Sequence, residues 1–279
     1  MVKRKQFIKS LAALAFLIKA ALPLDAVLIQ EPWFYPPYQV HMGTDFGVSR
    51  FSDVNHGFNP IGYSSTNIGW NLYALVPFSS TLDGQGEVNF LGTRKKNFNL
   101  ETFALQVRKQ FLDDVEGDFV SLCWGFSYRY VPRVRLTDVA TPYHNVSNFE
   151  LFASLGKEFS RDFEWFLRTF LWAAAGQANT GYPWGRYNFS VKGKAYANYI
   201  IGVGSEGYFG AGGEKTINVN QFHSYAKIKH RSVDVYAQFG YYSSIWGAIT
   251  FKYACRPYAR SFPSDNNAFL LTYDYPFSF

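Results

Sequence analysis

The chain has 279 residues, of which 48% are hydrophobic, 20% aromatic and only 17% charged. That balance leaves ample apolar surface to bury and excludes disorder, low complexity and a collagen-like repeat. The formal charge of +6 is concentrated in the first 26 residues, which hold five of the 27 basic and one of the 21 acidic residues; the remaining 22 against 20 leaves no electrostatic footprint for nucleic acid.

Residues 1–26 read as a signal peptide. Lys3, Arg4, Lys5 and Lys9 form a basic start, Leu11–Ile18 an apolar core, and Ala20, Ala21 and Pro23 a small-residue end with a helix breaker. Lys19 interrupts the apolar run, which argues for cleavage and against a retained anchor. No stretch approaches the ~18 apolar residues of a spanning helix. Residues 27–38 follow as a Pro- and aromatic-rich segment. Its Glu31–Tyr38 portion (EPWFYPPY) is extended by its prolines and is placed to cross or plug one end of whatever follows.

From residue 39 to residue 279 the sequence alternates with period two, the signature of strands with two unlike faces. In 120–130, Val120, Leu122, Trp124, Phe126, Tyr128 and Tyr130 oppose Ser121, Cys123, Gly125, Ser127 and Arg129. The pattern predicts twelve strands near 39–49, 66–78, 85–92, 97–111, 117–131, 147–160, 162–175, 187–204, 217–229, 232–243, 245–256 and 267–279. A turn at Lys192–Lys194 would split the long eighth, and counts of ten or fourteen fit as well. Cys123 then points inward and Cys255 outward on distant strands, which predicts no disulfide.

Many long alternating strands fit a soluble sandwich or a membrane barrel. Several reach 12 residues or more, beyond the usual ~5–6 of globular strands and matching the ~9–11 of tilted membrane strands. Charge is absent from the apolar face of the strands at 120, 233, 245 and 269, as a lipid face requires. Long connections at 50–65, 132–146, 176–186 and 257–266 alternate with tight ones at 113–116, 161 and 244. Short connections at 94–96 and 230–231 and a long one at 205–216 break that alternation. These features predict an all-β fold: a transmembrane, antiparallel, up-and-down β-barrel of about twelve strands.

The last strand places Phe269, Leu271, Tyr273, Tyr275, Phe277 and Phe279 on one face. A terminal Phe preceded by aromatics at alternate positions resembles the closing strand of Gram-negative outer-membrane β-barrel proteins. The resemblance implies a bacterial outer-membrane location reached through a cleaved signal peptide. It also implies that Tyr273, Tyr275, Phe277 and Phe279 are read by the barrel-insertion machinery during biogenesis. The implied partners are that machinery and outer-membrane lipid; the oligomeric state is left open.

By parity the inward surface carries Arg108, Arg129, Glu150, Glu164, Arg168, Lys192, Lys194, Lys227, Asp234 and Lys252, together with His41, Asp45, His223, Lys229, Arg256 and Asp274. Lys and Arg outnumber Asp and Glu nine to five in this set, which predicts a porin-like channel for small polar solutes with a weak anion preference. The alternative is a non-conducting structural or surface-binding barrel, its charges paired off. Phe166, Phe170, Trp172 and Trp246, also inward by parity, favour a narrow lumen. A barrel enzyme acting on lipid needs a nucleophile and base in contact. Only Asp53–His56 and His144–Ser147 offer loop candidates, so catalytic residues are expected to be none. No metal motif occurs and no cofactor is expected. Gly202–Gly207 matches G-x-G-x-x-G, but no helical pattern follows it, and it reads as a strand end and turn.

Overall fold

A computed structural model of the chain describes residues 28–162, 164–196, 198–243 and 245–278. The predicted leader lies outside the described residues, as does Phe279. Twelve long strands form one closed antiparallel barrel: β1 Gln39–Phe51, β2 Ser65–Ser79, β3 Leu82–Gly92, β4 Asn99–Leu112, β5 Ser121–Tyr130, β6 Ser147–Arg161, β7 Glu164–Ala178, β8 Trp184–Ala195, β9 Tyr199–Gly210, β10 Arg231–Ser243, β11 Gly247–Arg260 and β12 Asn267–Ser278. Each strand pairs with its sequence neighbours, and β1 closes the ring on β12 in a register running from Gln39↔Ser278 to Arg50↔Asn267. Closure leaves no sheet edge, which is the condition for strands to cross lipid.

The alternation sorts side chains as a barrel requires. Phe46, Trp124, Phe126, Leu151, Ile201, Phe239, Phe251 and Leu271 are exposed on the outer wall. On the opposite parity, Asp45, Ser127, Asn188, Gln106 and Glu87 are buried inside. Cys123 is buried and inward on β5 and Cys255 is outward on β11; both are free.

Two strand boundaries differ from the sequence reading, and their errors cancel in the count. The predicted strand at 187–204 is two strands, β8 and β9, with the reversal between Ala195 and Tyr199 rather than at Lys192–Lys194. The register Ala195↔Tyr199 pairs odd with odd, so outward residues stay on odd numbers across the turn and the alternation runs through unbroken. Tyr196 takes the left-handed turn conformation (φ 60°), so no glycine marks it. The predicted strand at 217–229 is part of a long connection; only Ile217–Asn218 pairs, in parallel, with Gly57–Phe58. With both changes the three longest connections, 52–64, 131–146 and 211–230, fall at one end, called the outer end below, together with the shorter 93–98, 179–183 and 261–266. Trp246 lies in the short β10–β11 connection and is exposed, so it does not face the lumen.

The outer connections fold over the barrel mouth around their own core. Phe51, Val54, Tyr63, Val139, Ala140, Ile217, Val219, Phe222, Tyr225, Ile228 and Phe262 form one buried cluster, packed on the inward Tyr208 and Ala259. The alternation of Ile217 and Val219 therefore serves this plug and no lipid face. A single turn of helix, α1 (Arg133–Leu136), ties the plug to the rim. There the buried Arg135 donates to the carbonyls of Leu100 at 2.9 Å and Asn99 at 2.6 Å.

Candidate functional site: a strapped lumen

The segment before β1 runs inside the barrel. Gln85 on β3 and Gln106 on β4 are cross-strand partners, and their side-chain amides bracket Ile29 as a neighbouring strand would. The Ile29 N–H donates to Gln85 Oε1 at 2.8 Å, and Gln106 Nε2 donates to the Ile29 carbonyl at 2.9 Å. Ser154 donates to the Gln30 carbonyl at 2.6 Å, and Asn188 Nδ2 donates to Gln30 Oε1 at 2.6 Å. Arg108 Nη1 donates to the Glu31 carbonyl, and Lys192 pairs with the Glu31 carboxylate. Lower down, the Trp33 indole N–H donates to Asp114 Oδ1 at 3.0 Å, and Tyr35 stacks on His41 with ring centroids 3.6 Å apart. Asp114, in the β4–β5 connection, is partly buried. Burial acts to raise its pKa, but the Ser121 hydroxyl, the Glu158 N–H and the Trp33 indole outweigh that and hold it below the usual range. The strap is thus fastened at both ends, to the β3–β8 wall and to the inner end.

The opposite wall stays open. A cavity of about 300 Å³ lies between the strap and the inward faces of β1, β2 and β7 to β12. Asp45, Tyr73, Gln238, Thr250, Lys252 and Thr272 line it on the wall side, and Gln30, Glu31, Trp33 and Tyr35 on the strap side. Its surface mixes aromatic faces with amides, hydroxyls and ion pairs.

Each strand-borne cation of the sequence-predicted set has a carboxylate partner. Arg108 holds Asp83 at 2.5 Å, Arg129 holds Glu87 at 3.0 Å, Arg168 holds Glu158 at 2.5 Å and Lys252 holds Glu206 at 2.5 Å. Lys194 pairs with Glu164 at 2.8 Å, and Asp234 pairs with Arg256 at 2.6 Å. Glu150 accepts from the Trp184 indole at 2.8 Å and lies 3.5 Å from Arg186. Lys227 is exposed on the 211–230 connection, as are His223 and Lys229, because the strand predicted to carry them is not in the barrel. Asp83, Glu87, Glu158 and Glu206 were absent from the sequence-predicted set. With them added and the loop lysines removed, the arithmetic behind an anion preference disappears. The alternation Asp83, Gln85, Glu87, Asn89 was visible, but glycines at 84 and 86 hid its lipid side. Glu206 lay beyond the predicted end of its strand, and Glu158 could have been found by parity alone. Tyr273, Tyr275 and Phe277 lie on the outer wall of β12.

The loop pairs weighed for catalysis do not assemble a nucleophile and base. Ser261 Oγ, 3.4 Å from His56 Nδ1, donates instead to the Lys215 carbonyl at 2.6 Å. His144 is engaged with Tyr208 rather than Ser147. The Tyr208 hydroxyl donates to the Pro142 carbonyl at 2.8 Å and so accepts from His144 Nδ1 at 2.9 Å. This leaves His144 Nε2 as an acceptor facing His230 Nε2 at 3.4 Å. Both imidazoles are buried where the plug meets the wall. Burial drives the His144 pKa down to about 3, and burial reinforced by His144 and Arg256 holds His230 well below its ordinary value. The His144 ring stacks on Trp184 with centroids 4.1 Å apart. Trp184 lies flat because its neighbour across the ladder is Gly176, where an added Cβ would fall 2.0 Å from the indole.

No protein-family model matches the sequence, and no curated protein matches it. Among solved structures, the chain is similar to an outer-membrane channel from Pseudomonas putida F1. That match has a TM-score of 0.67 at 10% identity and covers 90% of this chain and 100% of the other. The chain is also similar to the NanC porin, with a TM-score of 0.56 at 9% identity, covering 83% of this chain and 97% of that one. The closed twelve-stranded wall, the polar interior and these likenesses together give the chain the fold of the outer-membrane β-barrels.

Proposed function

We propose that the protein is a bacterial outer-membrane channel for small polar solutes, narrowed by its strap and outer plug. The observation that carries this reading is the polar cavity of about 300 Å³ beside the strap. A barrel meant only as a wall gains nothing from leaving an unfilled, hydrogen-bonding space at its centre. The backbone radius of a twelve-stranded barrel is about 12 Å at a strand tilt of ~40°, so strap and plug, rather than the wall, limit the passage. Both structural neighbours, a channel and a porin, favour the same reading. Because the lumen cations are matched by carboxylates, passage is weakly charge-selective. Export through a cleaved leader, insertion through the closing strand and contact with outer-membrane lipid belong to this proposal, and no catalytic step does.

The second reading is a non-conducting surface barrel, favoured by the buried apolar core of the outer plug. Swelling of proteoliposomes in isotonic sugars of graded size separates the two. A channel admits the smallest sugars and swells faster when residues 28–36 are removed. A surface barrel stays silent with and without the strap.

A further inference from the structure

We propose that the outer ends of β10 and β11 form a docking site for the phosphate groups of an outer-leaflet lipid. Arg231 and Arg260 are directly opposite each other in the β10–β11 ladder, both exposed and both on the lipid side of the wall. Exposed Lys229 lies two residues before Arg231 in the same alternation. Like charges facing across a ladder repel unless an anion lies between them. Here none of the three side chains has an ion-pair or hydrogen-bond partner among the described residues. The exposed Glu214 sits beside Lys229, its carbonyl accepting from the Lys229 N–H at 2.6 Å, and its carboxylate makes no ion pair with these cations among the described residues.

The surroundings specify the occupant. Phe209 is the partner of Arg231 on β9, and Val233 and Tyr258 form the next outward pair below the arginines. Phe209 and Tyr258 are exposed and continue into the apolar belt of Val235, Phe239 and Phe251. A guanidinium pair above an aromatic rim and an apolar wall matches a molecule with phosphate at its head and acyl chains below it. Arginine forks bind phosphate bidentately, and cations at this depth attract anionic headgroups. Free phosphate satisfies the arginines but makes no use of the apolar wall. The inference rests on the barrel lying in the membrane with its long connections outward, and it is independent of conduction.

The test is native mass spectrometry of the folded protein in detergent with lipid A, against dephosphorylated lipid A. Heat-modifiable migration verifies the fold of each variant. Lipid A is expected to bind about tenfold or more tightly than its dephosphorylated form. R231Q/R260Q is expected to remove most of that difference, while K109Q/R161Q, which deletes two exposed cations at the inner end, leaves it intact. Equal binding of both lipids overturns the site, as does equal loss in the inner-end variant. Displacement of lipid A by inorganic phosphate at matching concentration overturns its assignment to lipid. If the Gln pair does not fold, the two lipids on the unaltered protein decide the matter.

Discussion

Acidification should loosen the outer plug, and the His144–His230 pair sets both the sign and the size of the effect. In the closed plug His144 titrates at about 3 because it is buried between Trp184, Tyr208 and His230. Exposed by plug opening, it returns to about 6.5. The folded pKa lies below the open-state value, so the histidine's contribution to closure is fully present above pH 6.5. It is lost as pH falls toward 3. At pH 5 the open state has gained 1.5 decades of proton affinity over the closed one, about 2 kcal/mol or about thirtyfold in the opening equilibrium. His230, depressed in the same direction, adds to it. Hydrogen exchange of the amides in 135–146 and 217–230, corrected for the intrinsic pH dependence of exchange, should therefore rise between pH 7.5 and pH 5. Amides of β3 and β4 should not change. H144F/H230F keeps the rings and removes the protons, and should abolish the response. Unchanged protection at pH 5, or the same response in the double Phe variant, refutes the assignment.

Three further outcomes follow from the geometry. Asp83→Ala leaves Arg108 buried without its carboxylate, so the barrel should lose about 3–5 kcal/mol in urea unfolding. A D83L/R108L pair should recover much of that. Gly176→Ala pushes a methyl into the Trp184 ring and should cost about 1–3 kcal/mol, with the loss appearing as faster exchange in 131–146. In a salt gradient, the reversal potential of any open state should lie close to zero, because the lumen charges are paired; a strongly anion-selective value would contradict the pairing.

The wall was legible in the sequence because lipid and lumen impose opposite demands on alternate residues. Phe251 and Lys252 cannot exchange faces without placing a cation in lipid. The turn between β8 and β9 was not legible, since an odd-to-odd register preserves the alternation through it. The plug segment at 217–229 imitated a strand because Ile217 and Val219 serve a small core with the same spacing. Ion pairs such as Arg108–Asp83 and Lys252–Glu206 depend on register and on strand ends, which composition and period do not fix. The strap was foreshadowed by the prolines of 31–38, yet its contacts with Gln85 and Gln106 are long-range. Nothing local encodes them.

The central claim is that a polar passage exists and that the strap narrows it. Single-channel recording in planar bilayers tests it most directly, comparing the folded chain with one lacking residues 28–36. The account predicts rare or small steps for the intact chain and larger, frequent steps once Gln85, Gln106, Arg108 and Lys192 lose their strap partners. A strapless barrel that folds, migrates as a heat-modifiable species and still passes no current would contradict it.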